Sequence, residues 1–164
     1  MSERRSRLAD RFRRAVEDEQ AAEAESARAA AAATERASLA RDELLGDLDA
    51  LARGIGFLAV QRGNEGLTLR YRERYLHFAP IGDGDLRVEF EGTGDDEHRL
   101  YRQAELGNRW VLLRRRRFRE DRVPLFDQGI EDLLVNALGL PRPSDDPGDA
   151  GPSDAGSGGT RREL

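Results

Sequence analysis

The chain has 164 residues, with 27 basic and 32 acidic side chains and a formal net charge of −5, which is enough for one ordinary domain plus an appendage. It contains no cysteine, so disulfides, thiolate metal sites and cysteine nucleophiles are excluded. The charged N-terminus and the absence of any stretch of about 20 apolar residues predict neither a secretory signal nor a membrane span. We expect a cytoplasmic location by default.

The first predicted element is a long, alanine-rich α-helix over residues 1–53. Residues 3–53 contain no proline and one glycine, Gly46, and most of their side chains favour helix. Gly54 and Gly56 are expected to end the helix. At 1.5 Å per residue it would be roughly 70 Å long, which exceeds the size of the remaining domain. Most of it therefore projects from the domain or packs on a partner.

A 3-4-4 spacing of small and apolar residues marks one side of this helix. The candidate contact residues are Leu51, Leu48, Leu44, Ala40, Ala37 and Ala33. The period is close to 11/3, which predicts a nearly straight or slightly right-handed pairing of helices. One alternative is that only the last turns dock on the chain's own domain, through Leu44, Leu48, Leu51 and Ile55. The other is contact with a second copy or with a helical protein partner.

Charge is unevenly distributed along the helix. Residues 1–16 have a net charge of +4, and residues 17–53 have a net charge of −6. A parallel dimer would bring like charges together, whereas a staggered antiparallel pair would set the basic tip of one copy beside the acidic run of the other. If the helix dimerises, we expect antiparallel pairing.

Residues 54–140 have the pattern of a small antiparallel domain. Apolar residues alternate with polar ones in segments near 57–61, 67–71, 74–80, 86–91, 99–106 and 109–118, with glycine-rich turns between them. This predicts a meander of about five to six strands. A helix follows with Asp127 as its expected N-cap and Gly139 at its end, so the fold class is α+β. A strand meander closed by a terminal helix is similar to pleckstrin-homology-like folds, and the similarity is limited to this order of elements.

The last segment, residues 141–164, consists mainly of Pro, Gly, Ser and Asp. Such a composition buries too little apolar surface to offset the entropy of ordering. We expect a disordered tail.

A run of arginines follows the apolar part of the last predicted strand. Strand alternation divides it between two faces, and nearby acids can pair with it across strands. We therefore favour a solvated strand end, with nucleic-acid binding as the alternative. The candidate nucleic-acid contacts are Arg114, Arg115, Arg116, Arg117 and Arg119.

No recognisable catalytic motif is present. His77 is expected on the polar side of its strand, and His98, after Asp95, Asp96 and Glu97, is expected in a polar turn. Four adjacent ligand types in a turn are a weak metal signal, so we predict no metal and no cofactor, and the sequence identifies no small-molecule substrate. The favoured function is a non-enzymatic interaction or adaptor protein. Arginine-mediated nucleic-acid binding is the second hypothesis, and a small enzyme is the third.

Overall fold

A computed structural model describes residues 2–92, 94 and 96–143. Helix α1 (Ser2–Ile55) precedes a seven-stranded sheet, and helix α2 (Ile130–Leu138) follows it. The strands are β1 (Ala59–Gly63), β2 (Gly66–Tyr71), β3 (Arg74–Ile81), β4 (Asp85–Phe90), β5 (Glu97–Gln103), β6 (Arg109–Arg116) and β7 (Arg119–Pro124). The fold class is α+β, as predicted. The predicted tail lies outside the described residues from 144 onward.

Helix α1 is one continuous element of 54 residues. It passes through Gly54 and ends at Ile55, two residues later than predicted, because Gly56 is the residue with a positive φ, +86°. Arg53, in the last turn, lies 2.8 Å from Asp49. The predicted long helix is therefore confirmed, with a small change in its end.

The sheet is an antiparallel meander in which every strand pairs with its neighbours in sequence. Seven strands form, where five to six were expected. The additional strand is β7, which pairs with β6 across a turn at Arg117 and Phe118, where the sequence had suggested one uninterrupted strand. Gly66 in the β1–β2 hairpin requires glycine because a Cβ there would lie 1.8 Å from the carbonyl oxygen of Phe78.

One hydrophobic core joins the sheet to both helices. From the sheet it takes the alternating residues that share one face, including Leu69, Leu76 and Phe78. The final turns of α1 contribute Leu44, Leu45, Leu48 and Ala52, and α2 contributes Ile130, Leu133, Ala137 and Leu138. The sequence pattern separates α1 from the antiparallel domain, but the last turns of α1 belong to the same core as the strands.

Helix α2 begins later than predicted. A single π-helical turn, Leu125–Gly129, precedes it, and Asp127 lies within that turn instead of capping the helix. At the other end Gly139 adopts φ +71°, and its N–H donates to the carbonyl oxygens of Leu134 and Val135. The predicted glycine terminator is confirmed, whereas the predicted N-cap is wrong.

Candidate functional site

The N-terminal part of α1 stands clear of the rest of the chain. Every residue from Glu3 to Arg36 is exposed, a length of about 50 Å at 1.5 Å per residue. Contact with the body begins at Ala37, beside the β3–β4 turn. We call residues 3–36 the rod and the remainder of the described fold the body.

The six predicted contact residues of α1 fall into three environments. Leu44 and Leu48 are buried in the chain's own core, so they are not available to an outside partner. Ala37 and Ala40 are half-buried where the helix meets the body, and Ala33 is exposed on the rod. The sixth, Leu51, is 40% exposed. The first alternative, docking of the last turns, therefore describes Leu44 and Leu48 but not Leu51, which faces outward.

The rod has an exposed apolar patch near its tip. Leu8, Phe12 and Val16 are 52%, 66% and 49% exposed, and their spacing of four residues places them on one side of the helix. At 100° per residue Leu8 has the same angular position as Leu44, ten turns further along. Leu8 is therefore in line with the apolar side that docks on the body, and between them that line includes alanines, Ser26 and the charged Glu19.

The charges of the rod are largely unpaired within the chain. Among the residues that the structure describes, one ion pair involves the rod, between Arg13 and Asp10 at 3.5 Å, and both of those side chains are more than half exposed. The other tip arginines, at positions 4, 5, 7, 11 and 14, point into solvent. These charges are free to meet those of another molecule.

The arginine run is paired with acids instead of forming one cationic surface. Arg115 lies 3.2 Å from Glu120 and 3.5 Å from Glu97. Arg116 lies 3.7 Å from Asp96, and Arg119 lies 2.8 Å from Asp121. The guanidinium of Arg117 stacks over Phe118, 5.5 Å from its ring centre, at the exposed hairpin tip.

Two further features make the arginine run poorly suited to bind phosphate groups. Arg114 points the other way, toward α2, where its Nη2 lies 3.1 Å from Asp132. Hydrogen bonds from Arg122 and Arg115 hold the pKa of the Glu120 carboxyl below its ordinary value, so this acid remains a counter-charge for the hairpin. Phosphate contacts would have to displace these carboxylates.

A small polar pocket of about 210 Å³ lies between the sheet and α2, lined by Asp96, His98, Arg114, Arg116, Asp132 and Asn136 among others. His98 is 6% exposed and packs edge-on against Phe90 at 5.0 Å. Burial and the positive charge of Arg114 lower the pKa of its imidazole, and they outweigh the opposite effect of Asp96. His98 is thus a packed strand residue whose surroundings favour the neutral imidazole.

A second cavity, of about 380 Å³ and mainly apolar, lies between the end of α1 and α2. Leu51, Ile55 and Phe57 form one wall, and residues that include Phe126 and Leu134 form the other. Leu51 therefore contributes to an open groove of the body and not to the rod.

The described residues were also compared with the requirements for a membrane span and for a metal site, and the chain with known proteins. No described helix is both long enough and apolar enough to cross a membrane. The described residues contain no group of three or more His, Cys, Asp or Glu side chains that could hold a metal ion, and Asp95, part of the weak metal signal, lies outside them. No known protein family, curated protein or solved structure matches this chain.

Sequence reasoning placed one histidine correctly and misplaced the other. His77 is half-buried on its strand, where its Nδ1 is 2.7 Å from the hydroxyl of Thr68. The expectation that His98 lies in a polar turn is wrong, because β5 begins at Glu97 and His98 is buried inside the strand. The signal was available, since His98 is two residues before Leu100 and shares its face.

Proposed function

We propose that the protein is a non-enzymatic interaction protein whose rod pairs with the rod of a second copy. The observation that supports this most directly is the exposure of every residue from Glu3 to Arg36. The rod gains no tertiary stabilisation from its own body, and most helices in proteins depend on packing of an apolar side. A second rod supplies that packing.

The composition of the rod suits close pairing of helices. Small alanine side chains allow two helix axes to approach closely, but each one buries little area. Leu8, Phe12 and Val16 add larger apolar surface at the tip. Together they form an apolar side that is interrupted by Glu19, at about 20° from the line of Leu8 and Leu44, and along which a second copy can pack.

The proposal is tested by the mass of the full chain in solution. Light scattering coupled to size-exclusion chromatography should give a dimer at high concentration and a monomer on dilution. Phe12→Gln should weaken the dimer about tenfold or more, because two buried rings are lost from each symmetric pair. The substitution leaves the core unchanged, since Phe12 is 66% exposed.

Leu39→Gln is the matched control. Leu39 is also an exposed apolar residue of α1, at 57%, but it is 27 residues from Phe12, which is seven and a half turns and therefore the opposite side of the helix. This variant should dimerise like the parent chain. A chain that stays monomeric at every concentration, or equal effects of the two variants, would contradict the proposal. Salt-sensitive binding of duplex DNA that is lost when arginines 114–117 become glutamine would favour the nucleic-acid alternative.

A further inference from the structure

The charges of the rod are complementary to themselves in one antiparallel register. When residue n of one copy lies level with residue 30 − n of the other, Arg5 and Arg7 lie level with Glu25 and Glu23. In the same register Arg11 lies level with Glu19. Arg13 and Glu17 are also level, but they lie about 160° from Ala15, on the side of each helix that is turned away from the partner. No two like charges are level between residues 2 and 28. On the flanks this register brings together two pairs of opposite charge per copy and one like pair, Arg14 with the Arg14 of the second copy, two residues from level.

The charges on the two flanks of the rod, which are the sides next to the line of contact, support the same register. Arg5 and Glu23 are 18 residues apart, which is five full turns, so they lie on the same flank of the rod. Arg7 and Glu25 are also 18 residues apart and share the other flank. A twofold axis perpendicular to both helices brings matching flanks together. Arg5 of one copy then faces Glu23 of the other. The two residues are offset along the helix axis by two positions, or about 3 Å, and both side chains are long enough to span this offset.

Two positions of the apolar side are also matched in this register. Ala15 lies on the twofold axis and faces its own counterpart, which allows the closest approach of the helices where they cross. Leu8 of one copy lies level with Ala22 of the other, so a large side chain packs against a small one. Both pairs lie on the side that continues from Leu44 along the rod.

The body limits how far the rods can overlap. The partner lies on the same side of α1 as the body, and the body begins at Ala37, against Gly84. With residues 2–28 paired, the tip of each rod stops about eight residues short of the other copy's Ala37. Registers that bring the tip beyond residue 36 would drive it into the β3–β4 turn. The two bodies therefore lie at opposite ends of the paired segment.

We infer that a second copy pairs with the rod in an antiparallel register centred on Ala15, with Arg5 and Arg7 of each copy against Glu23 and Glu25 of the other. This inference rests on the proposed self-association and specifies its partner and geometry. Both acidic and basic partners are exposed in the single chain, so no internal contact has to break.

The absence of cysteine from the chain permits a direct test by single-cysteine variants of the full-length protein. Under a mild oxidant Ala15→Cys should form a covalent dimer, because the two thiols meet on the axis. Ala22→Cys is the matched control: it is also an exposed alanine of the rod, but it should not link to itself. A mixture of Ala22→Cys and Leu8→Cys should give the crossed dimer.

The outcomes separate the register from the proposed function. Self-linking of Ala22→Cys without linking of Ala15→Cys, in a chain that light scattering shows to be a dimer, would overturn the register and leave self-association standing. Self-linking at both positions would indicate a parallel pair and would also overturn it. A chain that is monomeric by light scattering, with no linked variant, would overturn both. Charge gives a second measurement: Arg5→Glu with Arg7→Glu should weaken the dimer about tenfold, and adding Glu23→Arg with Glu25→Arg should restore it.

Discussion

Gly84 and Ala37 meet where the rod leaves the body: a Cβ at Gly84 would lie 2.7 Å from the Cβ of Ala37 and 3.2 Å from its carbonyl oxygen. Both neighbouring atoms belong to the helix at or next to its backbone, so neither can move aside without shifting the helix. Gly84→Ala should therefore lower the free energy of unfolding by about 1–3 kcal/mol, the usual cost of overpacking. Urea denaturation followed by circular dichroism measures it.

Gly63→Ala is the control for the Gly84 substitution. A Cβ at Gly63 meets no atom within 4 Å, so the change in unfolding free energy should stay below about 1 kcal/mol. Adding Ala37→Gly to Gly84→Ala should recover part of the loss, offset by the cost of glycine in a helix, about 1 kcal/mol. Equal destabilisation by Gly84→Ala and Gly63→Ala would show that the helix does not depend on this contact.

Arg114 and Asp132 connect the sheet to α2 by an ion pair at 3.1 Å, and their side chains are only 19% and 14% exposed. Removing one partner leaves the other charge partly buried with fewer compensating contacts, and this lowers the free energy of unfolding. We expect Arg114→Gln to lower the free energy of unfolding by about 1–3 kcal/mol. Arg116→Gln should change it by less than about 0.5 kcal/mol, because the Arg116 side chain is 61% exposed and its acid lies 3.7 Å away. Similar losses from the two variants would contradict this difference, which denaturant unfolding can resolve.

The repeating elements of the fold followed from the sequence. Helix propensity over some fifty residues identified α1, and period-two alternation located most of the strands, because both signals add up along a segment. Strand β7 was missed because its sequence, REDRVP, is charged and only partly buried. It pairs antiparallel with β6, and Arg115 with Glu120 is the one ion pair between these two strands among the described residues. This pairing becomes visible only when the turn at Arg117 and Phe118 is known.

The environments of single side chains were harder to predict. Leu44, Leu48 and Leu51 share a helical spacing, yet the first two are buried and the third opens onto a groove. The difference depends on where the sheet ends beneath the helix. Arg114 likewise finds Asp132 on an element 18 residues away, and periodicity gives no information on such contacts. The uneven charge of the rod, in contrast, is readable from the sequence, and the structure adds the exposure of these side chains and the position at which the body begins.

The burial of His98 predicts a dependence of stability on pH. Because burial and Arg114 lower its pKa in the folded chain, its imidazole stays neutral at pH values where the unfolded chain, with an ordinary pKa of about 6.5, takes up a proton. The unfolded state then binds more protons, and the free energy of unfolding falls as pH falls below about 6.5. The contribution of His98 is fully present above that pH and is lost on acidification toward the folded-state pKa.

Denaturant unfolding between pH 7.5 and 5.5 measures this effect, since most carboxylates remain ionised throughout that window. The parent chain should lose stability across it, and His98→Gln should give a flatter profile whatever its stability at pH 7.5, because the group that titrates differently in the two states is gone. His77→Gln keeps His98 and should retain the loss. A His98→Gln profile as steep as that of the parent chain would mean that the imidazole is hydrated in the folded state, and the tight packing against Phe90 would then be wrong.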